Sequence, residues 1–267
     1  MKKFFSVLAF AAFSAFLFTG CDKEDPDAIK MEDVNKGIHI VIGADGKEYQ
    51  VVDLGLNSGN LWATCNLGAT SPEQSGSYYA WGEIEPKTQF GWGTYTLSET
   101  LPDGSGYITK YCTSDQEGRP DQETRLYKAD DAAYMLLGKD WQIPEKSDFN
   151  ELMTKRNCEV KWCKLNGVGG FLFTSVRKGY EGNSIFIPLA GMNDYASVRM
   201  SGSYGWYWCN ELYYDQGDGT DPKFVPKYVS SEATALWLEH TDVDNHLVKS
   251  RPRRAGLPIR PVYKGDL

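Results

Sequence analysis

The residues best suited to chemistry lie in one acidic stretch punctuated by glycine, Asp215-Gln216-Gly217-Asp218-Gly219-Thr220-Asp221. Carboxylates at every third position of such a loop can turn oxygen ligands towards a hard cation of the calcium type. Asp215, Asp218 and Asp221 are therefore the candidate metal ligands, with Ca2+ the ion they suit. The stretch lacks the terminal glutamate of an EF-hand loop, and Asp-Gly sequences also make plain solvated turns. Asp242, Asp244 and Asn245 form a sparser second group. Nucleophilic chemistry finds less support. Gly202-Ser203-Tyr204-Gly205 is too short for a G-x-S-x-G elbow, and His39, His240 and His246 lack metalloprotease spacing. Asp130 and Asp131 precede an apolar run, where carboxylates serve the free N–H groups of a helix start. No catalytic residue is assigned, so a non-enzymatic protein is expected, with an enzyme of unknown type the least favoured alternative.

The richest ligand surface runs over 191–230. Asn193, Asp194, Tyr195, Tyr204, Tyr213 and Tyr214 are the candidate binding residues, with Phe224 and Tyr228 nearby. Sugars present apolar ring faces edged with hydroxyls, so aromatic platforms flanked by Asn and Asp suit them. The same composition suits a protein epitope.

The elements that must hold these residues are legible from periodicity. Residues 38–43 and 48–54 read as strands around an Ala44-Asp45-Gly46 turn, and 61–65 as another. From 71 to 125 periodicity fails, which predicts either a packed, aromatic-stapled excursion or a functional insertion. Helices are expected over 132–137, stopped by Gly138, and over 145–156, entered through Pro144. Strands follow at 158–164 and 170–176 about an Asn166-Gly167 turn, then at 184–189, 206–212, 233–240, 246–250 and 257–262. Helices early and antiparallel strands late make an α+β domain.

The first residues address the chain. Lys2 and Lys3 precede an apolar run from Phe4 to Thr19, shorter than the roughly 20 apolar residues of a membrane span. It ends in Leu17-Phe18-Thr19-Gly20-Cys21, which resembles a lipobox. Residues 1–20 are thus expected to be a lipoprotein signal peptide and Cys21 the lipid-bearing residue; several acyl chains would anchor stably where one is marginal. Residues 21–37 read as an acidic tether similar to the surface-export signal of Bacteroidota-type lipoproteins. The expected location is the outer membrane, facing either outward or the periplasm. Removing Lys2 and Lys3 leaves 26 basic residues of 28 against 36 acidic ones, a net charge of −10. Such a chain repels phosphate backbones, which excludes nucleic acid; Arg251, Arg253 and Arg254 are its one basic cluster. Cys65, Cys112, Cys158, Cys163 and Cys209 remain, an odd number without a C-x-x-C pair, so zinc is unsupported and pairing is open. Buried small hydrophobes are the favoured reading of them.

Ordered motifs then carry a family resemblance. They include Val52-Asp53-Leu54-Gly55-Leu56, Leu61-Trp62-Ala63-Thr64-Cys65-Asn66-Leu67-Gly68-Ala69, Tyr79-Ala80-Trp81-Gly82-Glu83 and Trp141-Gln142-Ile143-Pro144. Asn183-Ser184-Ile185-Phe186-Ile187-Pro188, Gly205-Trp206-Tyr207-Trp208 and Ile259-Arg260-Pro261-Val262 complete the set. This resembles the Fibrobacter succinogenes major paralogous domain, over about residues 48–262. Glu145 and Cys209 depart from the family pattern, where Thr and Ser are common. The resemblance implies one C-type lectin-like domain over 38–267, of the formylglycine-generating-enzyme branch, with a loop-rich face that binds the ligand. Trp62, Trp81, Trp141, Trp208 and Pro144 then read as structural. The function expected is a surface-exposed lipoprotein that binds glycan or protein; a structural or adhesin subunit of a surface appendage is the alternative.

Overall fold

The structure, a computed structural model, describes residues 25–34, 36–241 and 247–267. Residues 1–20, read as a signal peptide, and Cys21, Asp242, Asp244, Asn245 and His246 lie outside the described residues. Among the described residues no helix is long and apolar enough to cross a membrane.

Among the described residues the chain is mostly antiparallel sheet with two short α-helices, an α+β arrangement. Strands β1 (Ala28–Ile29), β2 (Ile38–Ile42), β3 (Glu48–Val52) and β4 (Leu61–Ala63) come first, then the hairpin β5 (Ser98–Thr100) and β6 (Gly106–Ile108). Helix α1 (Ala132–Leu137), strand β7 (Trp141–Gln142) and helix α2 (Lys146–Leu152) lead into β8 (Cys158–Leu165), β9 (Val168–Ser175) and β10 (Ser184–Pro188). The last part holds β11 (Met192–Asp194), β12 (Ser197–Arg199), β13 (Tyr204–Asp215), β14 (Lys227–Glu239), β15 (Leu247–Pro252) and β16 (Val262–Tyr263). One sheet has the order β2-β3-β4-β16-β7, a second β1-β8-β9-β10 and a third β13-β14-β15.

Local chemistry explains most of these boundaries. Asn166 and Gly167 take φ of 49° and 80°, the paired positive values of a type I′ turn, and β8 and β9 zip from there. Asp131 caps α1 by accepting from the N–H groups of Ala133 and Tyr134, at 2.9 and 3.1 Å. Its other oxygen accepts from Ile143 N–H at 2.9 Å, which ties the helix to the strand after it. Burial pushes the Asp131 carboxyl up to about 6, the three donors opposing that rise. Helix α2 ends at Leu152, short of the expected 156, because Thr154 turns the chain so that Asn157 N–H reaches its carbonyl.

Period-2 alternation divides the interior in two. On β13, Trp206, Trp208 and Leu212 enter one apolar cluster while Tyr207 and Cys209 enter the other. On β14, Ala233 and Ala235 face the first and Leu236 and Leu238 the second; Val51 and Val52 split the same way on β3. The fully buried Arg260 spans the pieces, donating to Asn66 Oδ1 at 2.8 Å, Ala63 O at 3.0 Å, Thr64 O at 2.6 Å and Phe186 O at 2.9 Å.

Two further expectations change. Part of the segment read as tether packs on the domain: Ala28 and Ile29 pair in parallel with Lys164 and Leu165, and Val34 is buried beside Cys163 and Phe186. Too short for periodicity, it is held by two ladder positions and one apolar anchor. The stretch 257–262 is a strand only at its end, because Leu257 exchanges both backbone bonds with Tyr79 in an isolated bridge and Ile259 O accepts from Leu67 N–H, so the two do not join one ladder. The aperiodic run 71–125 takes the first of its two expected forms, a packed excursion stapled by aromatic side chains. Trp81 Nε1–H donates to Cys209 O at 2.8 Å, Trp208 Nε1–H to Tyr79 O at 2.7 Å, and Tyr95 O–H to Trp81 O at 2.6 Å. The motif residues Trp62, Trp81, Trp141, Trp208 and Pro144 are all buried.

Candidate functional site

The candidate residues separate into two places. Asn193, Asp194 and Tyr195 belong to the hairpin β11–β12, whose register pairs Asn193 with Val198 and Asp194 with Ser197. Its loop is Tyr195-Ala196, and Tyr195 takes φ 61°, a value that glycine usually supplies at the first position of a tight hairpin loop. A non-glycine residue there costs on the order of 1–2 kcal/mol. The hairpin is clamped nonetheless. Asn193 and Gly256 exchange backbone hydrogen bonds, each 2.8 Å, and Phe90 N–H donates to Tyr195 O. Gly191, at φ 68°, donates to Tyr204 O at 2.8 Å; a Cβ on it would meet Arg199 O at 2.2 Å.

The strained turn puts a ring into solvent. Tyr195 is 60% exposed, and the guanidinium carbon of Arg254 stands 5.3 Å from its ring centroid. Arg254 is itself held by Asp194, Nη1 to Oδ1 at 3.1 Å. Beneath them Asn193 is buried, and its Oδ1 has no hydrogen-bond partner. An exposed aromatic face with an ion pair beside it suits a hydroxyl-rich ring.

Tyr204 adjoins this hairpin. Its ring stacks on Trp206 with centroids 5.1 Å apart and planes 3° off parallel, and lies 6.1 Å from Trp237. Cations close both ends: Arg251 is 4.6 Å over Trp206, and Lys249 Nζ is 3.2 Å over Trp237. Burial lowers the Arg251 pKa, while the hydrogen bond to Glu239 raises that of Tyr204. The indole N–H groups of Trp206 and Trp237 are buried without partners. Met192 of the hairpin packs in the same apolar cluster as Tyr204 and Trp237, which joins the two features. The ring faces of this stack are occupied by one another and by the cations, so Tyr195 is the ring left open.

Tyr213 and Tyr214 do not join the site. They lie nine and ten residues along β13 from Tyr204, roughly 30 Å at strand rise, where Tyr213 pairs with Val229 and Tyr214 packs on Tyr228 at 4.8 Å. Strand β14 starts at Lys227, earlier than the pattern at 233–240 suggests, so residues 216–226 only connect two long strands. The acidic loop is this connection, and its carboxylates serve their own turns. Asp215 accepts from Gly217 N–H at 2.9 Å, Asp218 from Thr220 N–H at 2.8 Å and Asp221 from Lys223 N–H at 2.8 Å. Asp215, Asp218 and Asp221 therefore do not converge, and no cluster of three metal-ligating side chains occurs among the described residues.

The basic cluster also dissolves on inspection. Arg253 is wholly buried, donating to Tyr95 Oη at 2.6 Å, Tyr111 O at 2.9 Å, Ser230 O at 3.0 Å and Lys110 O at 3.1 Å. Arg251 lies over Trp206 and Arg254 on Asp194, so the three arginines point three ways. The five described cysteines are free thiols, four of them buried and Cys65 half-buried. Burial pushes Cys158 up to about 12 and Cys163 up to about 11. His240 stacks on Trp162 at 3.9 Å. A groove of about 670 Å³ lies on the other sheet, lined by Ile40, Tyr49, Cys65, Leu136 and Trp141 among others.

Sequence reasoning underrated Arg254, Trp206, Trp237 and Glu239. The alternation Tyr204-Gly205-Trp206-Tyr207-Trp208 does carry a signal, since it puts three rings on one face. Nothing in sequence brings Trp237 to that face or Arg254 to Tyr195. Compared with protein-family models, curated proteins and solved structures, the chain matches none.

Proposed function

We propose that the chain is a non-catalytic recognition module, carried by a lipid on Cys21 at the outer membrane, that binds glycan through Tyr195 and the groups around it. The reading rests on one observation: an aromatic ring held in solvent by a strained backbone and braced by the Asp194–Arg254 pair. Strain of this kind persists only where surrounding contacts over-determine it, and it concentrates at ligand sites. The C-type lectin-like fold of the major paralogous domain is part of the same proposal, with the hairpin belonging to its ligand face.

A glycan array tests it, using the chain without residues 1–20 and with Cys21→Ser. Discrete sugars should bind, Tyr195→Ala should abolish the signal with the circular dichroism spectrum unchanged, and a chelator should have no effect. A blank array together with a co-purifying surface protein would favour the appendage subunit instead. Mass spectrometry of the native protein should find an acylated Cys21 at the amino terminus.

A further inference from the structure

Strand β2 is the open edge of its sheet, and it carries none of the usual protection. Its sequence is Ile38-His39-Ile40-Val41-Ile42, without Lys, Pro or bulge, and it pairs with β3 alone. Edges of that kind are templates for another strand. Gly43 N–H donates to Lys47 O, so the pair Gly43–Lys47 is hydrogen-bonded and the bonded pairs alternate from there. His39 and Val41 consequently spend their backbone groups on β3, while the N–H and C=O groups of Ile38, Ile40 and Ile42 point outward. Among the described residues no bond to those outward groups is found. The same three side chains are 42%, 51% and 63% exposed, an apolar row on one face of an acidic protein.

We propose that this edge pairs with the β2 of a second copy of the chain, antiparallel and centred on Ile40. The pattern is symmetric about that residue. A twofold axis there sets Ile40 against Ile40 and Ile38 against Ile42, and the outward donors of each copy meet the outward acceptors of the other. Charge does not oppose the register: exposed Lys36 lies before the strand, and Asp45 after it is already paired with Lys47 Nζ at 2.9 Å. Ile40 also lines the groove that contains Leu136 and Tyr49, so the apolar surface continues past the strand onto α1. An unrelated extended peptide would gain the backbone bonds but not this matched row of isoleucines.

Disulfide trapping in cells tests the pairing on the full-length chain, in a Cys65→Ser background because Cys65 lines the same groove. Bonded residues in antiparallel strands lie about 5.5 Å apart at Cα, within reach of a disulfide. Ile40→Cys should give a dimer on a non-reducing gel, at least tenfold above the exposed control Glu99→Cys. Ile38→Cys expressed with Ile42→Cys should crosslink to each other more than Ile38→Cys does to itself. The mass in solution of the chain without residues 1–20, carrying Cys21→Ser, should be that of a dimer, falling to a monomer in Ile40→Lys with its melting temperature kept. Crosslinking of Ile40→Cys no stronger than the control, or a dimer that survives Ile40→Lys, overturns the proposal; the first outcome combined with capture of a different chain would assign the edge to a foreign peptide.

Discussion

Replacing Arg260 by methionine should cost the protein about 4 kcal/mol. The guanidinium is fully buried, has no carboxylate partner, and is solvated entirely by acceptors: Asn66 Oδ1 and the carbonyls of Ala63, Thr64 and Phe186. Methionine keeps much of the volume but donates nothing. Each buried acceptor left bare costs about 1–3 kcal/mol, so four of them cost about 4–12 kcal/mol. Removing a cation whose burial is itself unfavourable, as its lowered pKa records, offsets several kcal/mol, which brings the net to the lower end. Arg260→Lys restores a charge but lacks the planar fork, and about half the loss should remain. Urea unfolding followed by tryptophan fluorescence measures both variants; the methionine change corresponds to a fall in melting temperature of roughly 8–16 °C for a domain of this size. A loss below about 1 kcal/mol for Arg260→Met would refute the account, since the four acceptors would then not depend on Arg260.

Three further outcomes are expected. Tyr195→Gly should raise stability by about 1 kcal/mol, because glycine accepts φ 61° without strain, while glycan binding disappears; a loss of stability in thermal melts would show that the turn is not strained. Gly191→Ala should cost more than about 2 kcal/mol and weaken binding as well, since the new Cβ meets the carbonyl of Arg199 and pushes the hairpin off β13; calorimetry beside titration with sugar reads both effects. Asp131 has a folded pKa of about 6 against the ordinary 3.8, so the folded state holds its proton more tightly. Its contribution to stability is therefore greatest below pH 4 and declines as pH rises to 6, by about 3 kcal/mol, and urea midpoints across that window should lose this slope in Asp131→Asn.

How far the sequence could be read depended on the range of the physics involved. Local rules worked: Asn166-Gly167 made its two-residue turn, Asp131 capped its helix, and the alternating residues of β3, β8 and β9 formed strands close to their expected limits. The acidic loop kept two readings open because three aspartate-led turns and a cation site share one composition; the direction of each carboxylate selects the turns. Arg253 read as surface charge because its acceptors come from residues 95, 110, 111 and 230, none adjacent in sequence. For the proposed binding surface, Asn193, Asp194 and Tyr195 were legible as a cluster, but their partner Arg254 arrives from 59 residues beyond Tyr195. Tyr213 and Tyr214 matched the composition of a site and were removed from it by the length of β13 alone.

Strands β3, β13 and β14 each serve both apolar clusters, one with odd positions and the other with even. Loosening such a strand on one side exposes its other side, so neither half of the interior can melt while the other stands. Sequence change is then confined to the segments that touch neither cluster, above all the hairpin tip around Tyr195 and the connection over 216–226. Substitutions there should reshape the surface of the molecule while its melting behaviour stays almost the same.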